Sequence, residues 1–160
     1  MSFHLRRKDR EITDHNGLKK VLKSTKFMTI ALCMNNEPYL VSLSHGYDEK
    51  RNCLYFHCAD GGKKLVYMAA NPRVWGQVVQ DYGVTDECDY AYNSVHFSGT
   101  MLLVDDLSEK QHAISVIVRQ LSKTPEEKLA KVKPEKLAKT AICRIDVEDM
   151  TGKQHMQPKP

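Results

Sequence analysis

The sequence predicts a mainly β fold with flanking helices: a small antiparallel barrel of six strands with helices at its edges. Three observations carry this. Six short apolar or alternating segments are separated by turn residues. The strand–helix–strand rhythm that builds a parallel sheet is missing. And 160 residues, 41% of them hydrophobic, make one domain with a core of its own.

The elements follow in order. Asp9–Ser24 reads as a helix, with Ile12, Leu18, Val21 and Leu22 at helical spacing and Gly17 a place for a break. Phe27–Met34 is a β-branched, apolar strand. Asn35-Asn36-Glu37-Pro38 is a turn, because Asn tolerates positive φ and Pro cannot donate within a central strand. In Tyr39–Tyr47, Val41 and Leu43 alternate with Ser42 and Ser44, giving one apolar and one small polar face. After the polar turn Asp48–Asn52 comes the strand Cys53–Cys58, and the three strands together read as an antiparallel meander.

Ala59–Gly62 is a loop, and Lys63–Ala70 a helix stopped by Asn71-Pro72. Val74–Tyr82 and Ser94–Val104 are strands joined by an irregular acidic segment, and Gly99 marks a bulge or a close approach. Ser108 and Gln111 spell a capping box for a helix through Ser122. Thr124-Pro125-Glu126-Glu127 starts a second helix, and Lys128–Lys139 continues as a solvated helix or loop. Thr140–Val147 is the last strand, with a loose tail expected from Thr151. The domain is drawn as residues 1–153 and the C-terminal tail as 154–160.

Composition narrows the function. Basic residues outnumber acidic ones 24 to 20, a net charge of +4. That is too mild for a nucleic-acid face and enough for small anions if the excess is local. No apolar run approaches a membrane span. The start, MSFHLRRKDREI, lacks the apolar stretch of a secretory signal, so a cytoplasmic protein is expected. The cysteines Cys33, Cys53, Cys58, Cys88 and Cys143 form no CxxC pair and read as free thiols.

The strongest local signal is Gly61-Gly62-Lys63-Lys64, which follows a strand and opens a helix. Glycines let the backbone curl so that its N–H groups converge, the helix start adds partial positive charge, and two lysines add full charges. This suits a phosphate, although the GxxxxGK[ST] spacing of a P-loop is absent. The same residues also suit a solvated connector. His57 and Cys58 close the preceding strand, where a ligand-facing role competes with an ordinary hydrogen-bonded histidine. Cys53 and His57 share a strand face that Cys58 does not, so no metal site is expected. Ser44–His45 sit on opposite faces, and neither that pair nor Ser94–His96 lies in a nucleophile elbow, so acyl transfer is not expected.

Six segments then follow one another in a familiar order. They are RRKDREI (Arg6–Ile12), PYLVSL (Pro38–Leu43), LYFHCADGGKKL (Leu54–Leu65), NPRV (Asn71–Val74), YNSVHFSGT (Tyr92–Thr100) and CRIDVEDMTGK (Cys143–Lys153). Together they resemble the pyridoxamine 5′-phosphate oxidase-like flavoproteins, and most of all the nitroimidazole-resistance (Nim) branch. The resemblance implies a six-stranded split β-barrel, a homodimer, and FMN in a cleft between the subunits. It places Val41, Ser42 and Leu43 along the flavin ring, His57 and Cys58 near the ring and ribityl chain, and Gly62, Lys63 and Lys64 on the phosphate, with Ser94 also in reach. Trp75 and His96 are the candidates for the partner subunit's contribution.

Two departures matter. The oxidase proper carries Ser-Arg-Lys where this chain has Gly62-Lys63-Lys64, and Lys lacks the bidentate grip of Arg. The oxidase's arginine-bearing C-terminal substrate motif has no counterpart in CRIDVEDMTGK. The implied activity is an FMN-dependent oxidoreductase reducing small electrophiles such as nitroimidazoles. The rivals are a non-catalytic flavin- or haem-binding storage protein of the same fold, and a nucleic-acid-binding barrel using Lys128–Lys139.

Overall fold

The computed structural model describes residues 5–84 and 89–155. Seven antiparallel strands form one sheet: β1 (Phe27–Met34), β2 (Glu37–Ser44), β3 (Gly46–Asp48), β4 (Cys53–Cys58), β5 (Arg73–Val84), β6 (Tyr90–Leu103) and β7 (Ala141–His155). Their order across the sheet is β2-β1-β5-β6-β7-β4-β3. The helices are α1 (His15–Ser24), α2 (Lys63–Ala70), α3 (Leu107–Leu121), α4 (Pro125–Leu129) and α5 (Pro134–Ala138).

The strand order explains the shape. β2 and β3 are the two outer strands, yet only His45 separates them in the chain. Consecutive Cα atoms lie about 3.8 Å apart, so the two edges must come together at that corner. The sheet therefore curls into an open barrel. The expected meander is corrected here: β2 pairs with β1, whereas β3 pairs with β4. The single strand expected over Tyr39–Tyr47 is two, which makes seven rather than six. The cause is His45, which is fully buried, donates its backbone N–H to Lys26 O at 3.3 Å, and places its Nε2 3.1 Å from Leu22 O.

One face of the curled sheet holds the core. Met28, Ile30 and Leu32 of β1 meet Leu54 and Phe56 of β4, Val95 and Phe97 of β6, and Ile145 of β7. Leu18, Val21 and Leu22 of α1 pack against them. On the other side of β4 and β7, Cys53, Tyr55 and Ile142 pack against Ala113 and Ile117 of α3 and Leu137 of α5. Gly99 is the expected close approach: a Cβ there would stand 2.0 Å from Asp146 O, and the β6–β7 register shifts at that point.

Other expectations shift. α1 begins at His15, not Asp9, because Asp14 accepts from the amides of Asn16 and Gly17. Asp106, not Ser108, caps α3, accepting from Glu109 N at 2.7 Å. β7 continues through His155, paired with Tyr92, where a loose tail was expected from Thr151. Cys88 and residues 156–160 lie outside the described residues. No helix among the described residues is long and apolar enough to cross a membrane.

Candidate functional site

β4 ends at Cys58, and the loop through Gly62 delivers the chain into α2. Gly62 is the N-cap at φ 110° and ψ 173°, a conformation that favours glycine. Its carbonyl accepts from Leu65 N at 3.1 Å and Val66 N at 3.3 Å. No side chain caps this helix, so the first-turn amides of Lys63 and Lys64 have no intrahelical partner. A Cβ on Gly61 or Gly62 would meet nothing within 4 Å. The turn thus presents open backbone donors at the positive end of a helix.

The two lysines leave this turn in different directions, as residues about 100° apart on a helix must. Lys63 Nζ lies 4.7 Å from the ring centroid of Tyr39, 5.2 Å from that of Tyr67, and 3.9 Å from Glu37 Oε1. Lys64 is half-buried, has no carboxylate partner among the described residues, and directs its charge at Cys58. Cys58 Sγ stands 4.0 Å from Cys143 Sγ. The contact with Cys143 and the charge of Lys64 pull the Cys58 thiol down, against the opposing effect of burial. The Cys143 thiol is pushed up, first by Cys58 and then by burial.

β2 borders this corner, since the rings of Tyr39 and Tyr67 touch at 5.3 Å. Val41 and Leu43 continue the face of Tyr39 and pack against the core. β2 is an outer strand, so alternate amides and carbonyls along its free edge have no strand partner. Ser42 is exposed on the opposite face and bonds Thr29 at 2.9 Å. The registers put Ser42, Thr29, Gln77, His96 and Thr151 in one polar row across that face. Leu40, Ala31 and Trp75 form the neighbouring row, with Leu40 66% and Trp75 57% exposed. Ser94 lies on the same face, buried, opposite Val79 and Lys153.

The predicted residues therefore divide. Gly62, Lys64 and Cys58 converge at one corner, with Lys63, Val41 and Leu43 along its border. Ser42 and Ser94 belong to the outer face of the sheet. His57 is exposed, and strand alternation turns it away from Cys58 toward the side of Tyr55 and Ile142. Sequence reasoning missed Tyr39, Tyr67 and Cys143. The shared parity of Tyr39, Val41 and Leu43 was a usable signal, but the β4–β7 register that brings Cys143 to Cys58 was not.

A groove of about 620 Å³ lies elsewhere, lined by Lys23, Tyr47, Asp48, Val116, Arg119 and Gln120. Two of its charges are paired at the surface, Lys23 with Glu49 at 2.8 Å and Arg119 with Glu126 at 2.7 Å. It is a seam between elements rather than a prepared site. No group of three metal-ligating side chains occurs among the described residues.

The fold is shared with known proteins. A candidate 5-nitroimidazole antibiotic resistance protein from Bacteroides thetaiotaomicron superposes with a TM-score of 0.76 at 22% identity, over 89% of this chain and 85% of that one. A FAD-binding protein from Mesorhizobium loti gives 0.66 at 25% identity, over 89% and 95%. A FAD and heme binding protein from Mycobacterium smegmatis gives 0.76 at 16% identity, over 94% and 75%. No curated protein matches the chain. Residues 14–154 match the family described as pyridoxamine 5′-phosphate oxidase, and the chain belongs to that family.

Proposed function

We propose that the chain is a cytoplasmic flavoprotein that binds FMN, with the phosphate on the Gly61–Lys64 turn and the ring along β2, and that it reduces small electrophiles such as nitroimidazoles. One observation carries the reading: open glycine backbone, two free helix amides and a half-buried lysine without a carboxylate partner among the described residues meet at one corner. That donor set fits a phosphate-bearing group. The free edge of β2 offers backbone donors and acceptors to a planar ring beside it. Bound FMN would supply the electron transfer itself, which accounts for a site without an acid–base pair. The chain's residues hold, orient and shield it.

The family's eponymous substrate is not carried over. Arg144, the one arginine of CRIDVEDMTGK, is paired with Glu109 at 2.6 Å and Asp146 at 2.8 Å inside the fold. A homodimer is proposed on the outer sheet face. The exposed Leu40 and Trp75 beside the polar row of Ser42, Gln77 and His96 give an apolar patch with a polar border, the composition of an interface. Ligand clefts form preferentially where two units meet, and this face offers one.

The test is an absorption spectrum of the purified protein before and after adding FMN, with size-exclusion chromatography and reduction of a nitroimidazole by reduced nicotinamide. A flavin band near ~450 nm, a dimer and turnover are expected. A colourless protein that takes up no FMN overturns the reading. A Soret band near ~410 nm would instead favour haem storage, a reading suggested by the FAD and heme binding neighbour.

A further inference from the structure

We propose that Cys58 and Cys143 form a peroxide-oxidisable thiol pair beside the glycine turn, with Cys58 the attacking sulfur and Cys143 the resolving one. The pair stands on its own geometry and does not depend on the FMN reading. Cys58 opposes Ala141 and Phe56 opposes Cys143 in the β4–β7 ladder, so the two cysteines are diagonal neighbours on one face. Their sulfurs are 4.0 Å apart. The remaining described cysteines, Cys33 and Cys53, are free thiols without such a contact.

The two sulfurs are not equivalent. Cys143 is fully buried, whereas Cys58 is half-exposed at the end of its strand. Lys64 directs its charge at Cys58, and Cys143 is in contact with it, so both neighbours favour the Cys58 thiolate. A thiolate that is accessible and stands beside a resolving cysteine is the form that reacts with peroxide. In the first step the Cys58 sulfur attacks hydrogen peroxide. An S–O bond forms, the O–O bond breaks, hydroxide leaves, and Cys58 becomes a sulfenic acid. In the second, the Cys143 sulfur attacks that of Cys58. The S–S bond forms, the S–O bond breaks, and the hydroxyl leaves as water with the Cys143 proton. Overall two thiols are oxidised to a disulfide and one peroxide is reduced to water.

The ladder also shows what moves. Diagonal strand neighbours lie about 7–8 Å apart at Cα, and a disulfide needs about 4.4–6.8 Å. Cys143 is held on both sides, by Phe56 of β4 and Leu103 of β6. Cys58 is the last residue of β4 and is followed by the loop, so its end closes the gap and carries the glycine turn with it.

The experiment treats the purified full-length protein with a small excess of hydrogen peroxide, alkylates it under denaturing conditions, and maps the cysteines by mass spectrometry. Wild type should lose two alkylatable thiols and yield Cys58 linked to the peptide Thr140–Arg144. Fragmentation separates Cys58 from Cys53, which shares its tryptic peptide. Cys143→Ser should stop at a Cys58 sulfenic acid that dimedone traps, and Cys58→Ser should leave Cys143 reduced. Lys64→Met should slow the first step about three- to tenfold through loss of the neighbouring charge. The proposal is overturned if wild type keeps all its thiols, if Cys33 reacts as fast as Cys58, or if Cys143 is oxidised in Cys58→Ser.

Discussion

The two flanks of β4 treat their charges in opposite ways. Beneath α3, each charge meets a partner. Tyr55 Oη donates to Glu109 at 2.9 Å and accepts from Arg51 at 3.1 Å. Arg144 donates to Glu109 at 2.6 Å and to Asp146 at 3.0 Å, and His112 donates to Asp48 at 2.5 Å. Burial pushes the carboxyls of Asp48 and Glu109 up, but His112 and Arg144 outweigh it and hold both below the usual range. At the glycine turn, by contrast, amides are open, Lys64 has no carboxylate partner among the described residues, and the thiol nearest it is pulled down. A network that answers its own charges stabilises the fold and has little left for a ligand. A corner that leaves donors of one sign open has a ligand's shape in its chemistry.

The sharpest break of this contrast is the double variant Lys63→Ala/Lys64→Ala. A charge-assisted hydrogen bond from Lys64 contributes roughly 1.5–3 kcal/mol and Lys63 adds less, so FMN affinity should fall by about fifty- to five-hundredfold. The melting temperature should hold, because exposed and half-exposed lysines contribute little to stability. Riboflavin, which lacks the phosphate, should bind weakly to wild type and lose little more. Isothermal titration with both ligands reads this, and unchanged FMN affinity would place the phosphate elsewhere.

On the other flank the outcome should reverse. Glu109→Ala leaves Arg144, Arg51 and Tyr55 short of their shared acceptor. Partly buried charges that lose a partner cost about 2 kcal/mol, intermediate between exposed and fully buried pairs. For a chain of this length that lowers the melting temperature by roughly 4–8 °C. FMN affinity should stay within about twofold. Equal losses of stability and affinity would show that the two flanks act as one unit.

The corner where the sheet edges meet supplies a smaller, pH-dependent effect. Burial lowers the His45 pKa, partly offset by its bond to Leu22 O, and its Nδ1 has no partner among the described residues. A histidine whose folded pKa is depressed stabilises the fold fully above its unfolded value of about 6.5. That stability is lost as pH falls below it, because the unfolded chain binds the proton first. The slope reaches at most about 1.4 kcal/mol per pH unit. Urea melts of wild type and His45→Gln at about pH 7.5 and 5.5 should show a smaller pH loss in the variant. Equal losses would assign the slope to other groups.

These contrasts also show where the sequence was readable. Gly99 announced its close approach, and Gly61-Gly62-Lys63-Lys64 its open turn, because a glycine's meaning is local. The alternation of Val41 and Leu43 with Ser42 gave the faces of β2 correctly. What failed depended on distant atoms. The break at His45 is made by the carbonyls of Lys26 and Leu22, neither of which a local pattern reveals. The α3 network joins Asp48, Glu109 and Arg144 from three separate elements, and the Cys58–Cys143 contact follows from strand register. Ser108 looked like the better cap by motif, but Asp106 offers a carboxylate at the start of the turn.

The smallest expected effect refines the open flank itself by separating its two lysines. The surroundings of the two lysines favour Lys64 over Lys63 as the phosphate ligand. Lys63 is already engaged by the faces of Tyr39 and Tyr67 and by Glu37. To reach a phosphate it must give up a cation–π contact of about 0.5–1 kcal/mol. Lys64 has no carboxylate to leave among the described residues, and its partial burial strengthens any bond it makes to an anion. Lys64→Ala should therefore weaken FMN by about ten- to a hundredfold. Lys63→Ala should weaken it by no more than about fivefold, and Tyr39→Leu, which frees Lys63 from one ring, should tighten it by up to about threefold. Parallel FMN titrations of the three variants test the ranking. A larger loss from Lys63→Ala than from Lys64→Ala would mean that the aromatic pair presents Lys63 to the phosphate rather than holding it back.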